Sequence, residues 1–224
     1  MNFLSHYYFD RGTTNCYHTL GTVLPDLLKN ADKNVVLHPE KLHHSDPRIN
    51  DIILGWQKHL EVDRFFHSSE FFITRSHELK LRLLPAITGS PVKPFFLGHI
   101  ALELLLDGLL IITDKISVSN FYNLLDDCRE RVIVEFLLFA GMKDTPAYLR
   151  FHENFLQSRY LNTYSETQQI AYALKRICMR VWKDPFTPEH EGKMNAVLAI
   201  YQEELRDSFM PIFDEIDCKL KPEI

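Results

Sequence analysis

Apolar residues recur along most of the chain at the three- and four-residue spacing of amphipathic α-helices, and no convincing strand alternation appears. Ser119 and the run Thr187-Pro188-Glu189 are typical helix starts. The pattern therefore predicts an all-α bundle of eight or nine helices. These cover residues 2–9, 14–29, 50–68, 69–85, 92–113, 119–141, 146–161, 165–182 and 188–218.

The predicted helix at 92–113 is apolar on nearly every face, but it carries His99, Glu103 and Asp107 at four-residue spacing. A helix that is hydrophobic all round is buried, and three ionisable residues favour a core helix over a membrane span. A buried carboxylate needs a cation, a hydrogen-bond partner or a metal. Asp107 lies about 12 Å along the axis from His99, so we expect it to be an outer-shell or structural residue rather than a ligand of the same ion.

A second stripe, His59-x3-Asp63-x3-His67, falls in the predicted helix at 50–68. Residues four apart share one helix face, so both stripes predict metal ligands, although a hydrogen-bonded His–carboxylate pair is the alternative for each. Nitrogen and oxygen donors suit Mn²⁺, Fe²⁺, Zn²⁺ or Mg²⁺. Two ions would suit phosphoester hydrolysis, because they activate water and stabilise the leaving oxygen.

Composition narrows the function classes. The net charge of −5 and a pI near 6.1 argue against nucleic-acid binding. The opening residues lack the pattern of a signal peptide, so we expect a cytoplasmic protein without a membrane partner. The polar stretch 30–50 is predicted to be a loop, with a lid as one reading. The cysteines are widely spaced and predict neither a thiolate zinc site nor a disulfide framework: Cys16, Cys128, Cys178 and Cys218.

The chain contains four short blocks that form a pattern: Met1–His6, Gly21–Asp26, Gly55–Asp63, and Pro94–Leu97 followed by His99 and Glu103. Together they resemble the acyl carrier protein phosphodiesterase family, which is related to HD-domain phosphohydrolases. The resemblance implies an HD-domain-like helical bundle and a manganese-dependent enzyme. It also implies that acyl carrier protein is a partner and that the 4′-phosphopantetheine–serine diester is the substrate. The matched ligand positions would be His6, Asp26, His59 and Asp63.

This chain departs from the family pattern at several positions. Members commonly have Thr-Asp where this chain has Phe66-His67. They commonly have Asp and then Asp-His where it has His99 and then Glu103-Leu104. A basic residue that is common in the family is Leu60 here. Ligand capacity is kept while ligand identity changes. Metal binding is therefore better supported than the exact substrate.

The predicted site combines these observations. Asp63 and His67 are the candidate catalytic residues, with His67 as acid or base. Arg64 and Arg180 are candidate substrate anchors, and the basic residues from Arg75 to Lys93 are a candidate docking surface for an acidic carrier protein. The candidate metal ligands are His6, Asp26, His59, Asp63, His99 and Glu103.

We expect one domain over residues 1–224, with the metal-site core in 1–113 and supporting helices in 114–224. Two other functions stay open at this point. One is a non-catalytic helical module that uses the stripes for packing or a structural metal. The other is an HD-like nucleotide phosphohydrolase. The sequence predicts no oligomeric state.

Overall fold

A computed structural model describes residues 1–221, and within that range the protein is all-α, as predicted. Short 3₁₀ segments cover Pro39–Lys41, Leu84–Ile87 and Tyr160–Ser165. The α-helices are α1 (Phe3–Tyr8), α2 (Cys16–Ala31), α3 (Pro47–His67), α4 (Glu70–Leu83), α5 (Pro94–Ile112), α6 (Val118–Asp126), α7 (Glu130–Phe139), α8 (Thr145–Ser158), α9 (Thr167–Met179), α10 (Pro188–Leu205) and α11 (Met210–Leu220).

The described range holds eleven α-helices, more than the eight or nine predicted, because two long predictions were wrong. The predicted helix at 119–141 is α6 and α7, and Ser117 rather than Ser119 caps α6. The predicted helix at 188–218 is α10 and α11. Pro211 lies in the first turn of α11, where its missing N–H costs nothing, whereas inside one long helix it would remove a hydrogen bond.

The chain divides into two compact units, and each unit draws on both halves of the sequence. Unit A contains residues 2–63 and 116–162. Unit B contains Met1, residues 64–115 and the chain from Thr163 onward. The division falls inside α3, between Asp63 and Arg64. The expected single domain with its core in 1–113 stays a prediction.

In unit A, two glycines allow the backbones of α2 and α3 to touch. A Cβ atom on Gly21 would lie 2.1 Å from the carbonyl oxygen of Ile52, and one on Gly55 would lie 2.1 Å from the carbonyl oxygen of His18. No side chain fits at either position. α2 also packs against α1, α6 and α8, and every residue of α1 is buried.

In unit B, α5 is the central helix and packs against α4, α9 and α10. Every residue from Ala101 to Leu110 is buried, which agrees with the predicted core helix. Of the described helices, only α5 is long and apolar enough to cross a membrane, and 67% of its most apolar window is buried inside the protein. Burial of this extent is typical of a core helix in a globular protein.

Candidate metal sites

Two clusters of side chains, each with two histidines and one carboxylate, bring their ligand atoms within 4.8 Å of one another. Set A is His6, His59 and Asp63, all in unit A. Set B is His67, His99 and Glu103, all in unit B. Five of the six predicted ligands belong to these sets, and His67 joins them as a sixth. Among the described residues, neither set includes Asp26 or Asp107.

Set A is built from α1 and α3. Asp63 faces two imidazoles: its Oδ1 lies 3.3 Å from Nε2 of His6, and its Oδ2 lies 3.7 Å from Nε2 of His59. The two rings stack with their centroids 3.8 Å apart. Both histidines are buried, whereas the Asp63 side chain is 33% exposed. Asp63 therefore forms the accessible edge of the set.

The tautomer of His59 follows from its contact with α2. Nδ1 of His59 lies 2.9 Å from the carbonyl oxygen of Thr22, which can only accept, so Nδ1 carries the hydrogen and donates. In the neutral ring, the lone pair is then on Nε2, the atom that faces Asp63. Metal-ligating histidines are commonly held by this kind of contact, in which a carbonyl accepts from the other ring nitrogen.

Burial first, and the nearby His6 ring second, lower the pKa of His59 to about 3. Burial by itself would raise the pKa of Asp63, but nearby positive charge and the contact with the His6 ring outweigh it and hold the pKa below its usual range. Set A therefore presents a neutral imidazole and an ionised carboxylate. These are the protonation states that metal binding requires.

A buried carboxylate that sequence analysis missed supports set A. Asp10 accepts hydrogen bonds from the Thr22 hydroxyl at 2.6 Å and from the Lys58 ammonium at 2.5 Å, and it lies 3.3 Å from Nε2 of His18. Burial by itself would raise the pKa of Asp10, but the contacts with His18 and Lys58 outweigh burial, so the pKa of this carboxyl group lies below its usual value. This network ties α2 to the turn of α3 just before His59. Asp10 falls in no helical stripe, so no spacing pattern could have identified it.

Set B lies where the last turn of α3 and the first half of α5 contribute side chains to unit B. Oε1 of Glu103 lies 3.1 Å from Nε2 of His67 and 2.9 Å from Nε2 of His99, and the two nitrogens are 3.2 Å apart. The Phe72 ring packs edge-on against both imidazoles, with each centroid distance 4.8 Å. The histidine side chains are about one-third exposed, at 32% and 38%, so this set is open to solvent.

Glu103 is the buried member of set B. Burial alone would raise the pKa of its carboxyl group, but the Met1 amino group, 3.2 Å from Oε1, and the rings of His67 and His99 hold the pKa well below its usual range. The group is therefore an ionised carboxylate at neutral pH.

The other predicted site residues have the following surroundings. Asp26 lies in α2 and is partly buried, and Asp107 is wholly buried in α5. Arg64 is exposed, with its guanidinium 4.7 Å from the centre of the Phe65 ring. Arg180 is exposed just after the end of α9. The role predicted for Asp26 in metal binding and those of Arg64 and Arg180 in substrate binding stay predictions.

Comparison with protein-family models, curated proteins and solved structures gives no match to this chain. The resemblance to acyl carrier protein phosphodiesterases therefore rests on the short sequence blocks alone. The chemistry of the two ligand sets is therefore the main indication of function.

Proposed function

We propose that the protein is a metal-dependent phosphodiester hydrolase that holds a divalent ion in set A. The observation that carries the proposal is the convergence of His6, His59 and Asp63, with His59 oriented by the carbonyl oxygen of Thr22. Two nitrogens and one oxygen suit Mn²⁺, Fe²⁺ or Zn²⁺. Mn²⁺ is the first choice because of the family resemblance.

A divalent ion bound there would supply Lewis-acid chemistry: it lowers the pKa of a water molecule and stabilises negative charge on the leaving oxygen. The protein's own part is positional. Thr22 fixes the orientation of the His59 ring, and the buried Asp10 pair with Lys58 holds the neighbouring turn. The exposed edge of Asp63 is where solvent reaches the set. The acid–base role predicted for His67 stays a prediction.

The substrate class follows from the resemblance, so we propose the 4′-phosphopantetheine–serine diester of holo-acyl carrier protein as the first substrate. The basic surface suggested for carrier docking is partly neutralised. Arg75 lies 2.9 Å from Glu78, and Arg82 lies 2.7 Å from Glu204. Recognition of an acidic carrier by these two arginines would have to compete with those ion pairs.

The test is to incubate Mn²⁺-loaded protein with holo-acyl carrier protein and to follow release of 4′-phosphopantetheine by mass spectrometry. Asp63→Asn should reduce the rate by roughly 10³-fold or more, because the ion loses its charged ligand. Glu61→Gln is the matched control, because Glu61 is an exposed residue of the same helix. This variant should leave the rate of hydrolysis unchanged.

Two other results would replace the proposal. Hydrolysis of small nucleotides without any action on the carrier would favour a nucleotide phosphohydrolase. No turnover of either substrate class in the Mn²⁺-loaded protein, with Asp63→Asn binding as much metal as the wild type, would favour the non-catalytic helical module.

A further inference from the structure

We infer that set B is a second metal site, in which His67, His99 and Glu103 occupy three adjacent coordination positions of one divalent transition-metal ion. The inference goes beyond the proposed hydrolase, because it does not depend on set A binding metal or on any activity. It also changes the role of His67 from the predicted acid or base to a ligand.

The short contacts of set B cannot all be hydrogen bonds. Each of the three atoms lies within 3.2 Å of the other two. Each Nε2 carries at most one hydrogen, and the carboxylate carries none. If both histidines donate to Glu103, their nitrogens do not bond to each other. If one donates to the other, the acceptor nitrogen faces the carboxylate lone pair to lone pair. A metal ion among the three atoms would remove this conflict, because it accepts a lone pair from each of them. It would bind beside the Met1 amino group, which lies 3.2 Å from Oε1 of Glu103.

The dimensions of the triangle fit one ion. Metal bonds of about 2.1 Å at right angles place neighbouring ligand atoms roughly 3.0 Å apart, and tetrahedral angles place them roughly 3.4 Å apart. The observed edges are 2.9, 3.1 and 3.2 Å. The three atoms are therefore spaced as three adjacent corners of an octahedron would be.

The surroundings of set B support both binding and exchange. Phe72 contacts both imidazole rings edge-on, so it limits their rotation. The partial exposure of His67 and His99 gives an ion access from solvent. Three protein ligands leave coordination positions for water or another small ligand, and the mixture of two imidazoles and one carboxylate favours Fe²⁺, Co²⁺ or Zn²⁺ over Mg²⁺ and Ca²⁺.

The experiment measures Co²⁺ binding to the full chain by equilibrium dialysis and by the visible absorption of the bound ion. It is done in an Asp63→Asn background, so that set A does not contribute a complete site. The comparison is between Asp63→Asn alone, the same protein with His99→Ala, and the same protein with His77→Ala. His77 is an exposed histidine of α4 in unit B and is the matched control.

We expect about one equivalent of Co²⁺ in the Asp63→Asn protein and in its His77→Ala derivative, with at least about 100-fold weaker binding after His99→Ala. Mg²⁺ in large excess should not displace the ion. Equal binding with and without His99, or no binding in the Asp63→Asn background, would overturn the inference. Failure of the hydrolase proposal would instead appear as absent turnover in wild-type protein, whatever set B binds.

Discussion

Sets A and B contain the same kinds of ligand in different surroundings. In set A the two histidines are buried and stacked, and one of them is held by the backbone of a neighbouring helix. In set B both histidines are partly exposed and are steadied by one aromatic ring. Ligand type alone therefore does not determine the consequence of a mutation. Around set A we expect mutations to change stability as well as metal binding, and around set B to change mainly metal affinity.

The largest loss of stability should come from a mutation at the close approach of α2 and α3, one turn before His59 of set A. Gly55→Ala places a Cβ 2.1 Å from a backbone carbonyl oxygen, which cannot move aside as a flexible side chain can. The loss of stability should exceed the roughly 1–3 kcal/mol typical of an overpacked core. It would be measured by urea unfolding.

Two other glycines sharpen that comparison. Gly98→Ala, next to His99 of set B, should cost less, because its nearest atom is 2.7 Å away. Gly192→Ala in α10 meets nothing within 4 Å and should stabilise the helix by up to about 1 kcal/mol. Unfolding midpoints that are the same for Gly55→Ala and Gly192→Ala would show that the close approach of α2 and α3 is wrong.

The buried Asp10 network should give the next largest effect. Asp10→Ala leaves the Lys58 ammonium without its closest carboxylate and the Thr22 hydroxyl with only its longer hydrogen bond, to the carbonyl oxygen of His18, which should destabilise the protein by about 3–5 kcal/mol. Asp32→Ala, at the exposed end of α2, is the control and should change the free energy of unfolding by less than about 0.5 kcal/mol. A small effect of Asp10→Ala would mean that set A is not supported in this way.

The pH dependence of stability tests the burial of His59. The pKa of His59 is about 3 in the folded protein, and its ordinary value, expected in the unfolded chain, is 6.5. At a pH between these two values the unfolded chain therefore binds more protons than the folded protein. The contribution of neutral His59 to the free energy of unfolding is complete above about pH 6.5 and is lost as the pH falls toward 3. From roughly pH 7 to pH 4.5, metal-free protein should lose about 2–3 kcal/mol through this residue.

The measurement for this prediction is the unfolding free energy of metal-free wild type and of His59→Gln across that pH range. The glutamine variant should show a shallower dependence by about the same amount, whatever its absolute stability. Parallel curves for the two proteins would contradict a buried neutral His59.

The smallest effect should come from the aromatic support of set B. Phe72→Ala removes the ring that contacts both imidazoles and should weaken Co²⁺ binding at this set by about 10–100-fold. Phe71→Ala is the neighbouring control and should leave that affinity within about twofold. If Phe72→Ala changed stability strongly but left metal affinity unchanged, the contrast between the two sets would fail.

Sequence patterns were enough to predict the all-α class, the burial of α5 and the one-turn spacing of His59 with Asp63 and of His99 with Glu103. Each depends on helical periodicity, which fixes distances within one helix. The Thr187 cap was also predicted, and its hydroxyl accepts from the backbone of His190 at 3.2 Å. The breaks between α6 and α7 and between α10 and α11 were missed, although Pro211 signalled the second.

The grouping of the stripe residues into two ligand sets depends on contacts between helices, which the sequence pattern did not predict. Periodicity placed His67 with His59 and Asp63, but in the structure His67 lies with His99 and Glu103. The third member of set A is instead His6 from α1. The tertiary structure also brings Asp10 to Lys58, a residue 48 positions away. The physical reason is that contacts between helices depend on which backbones can approach closely. That approach is set by glycines such as Gly21 and Gly55 together with the buried surface around them, and not by spacing along any one helix.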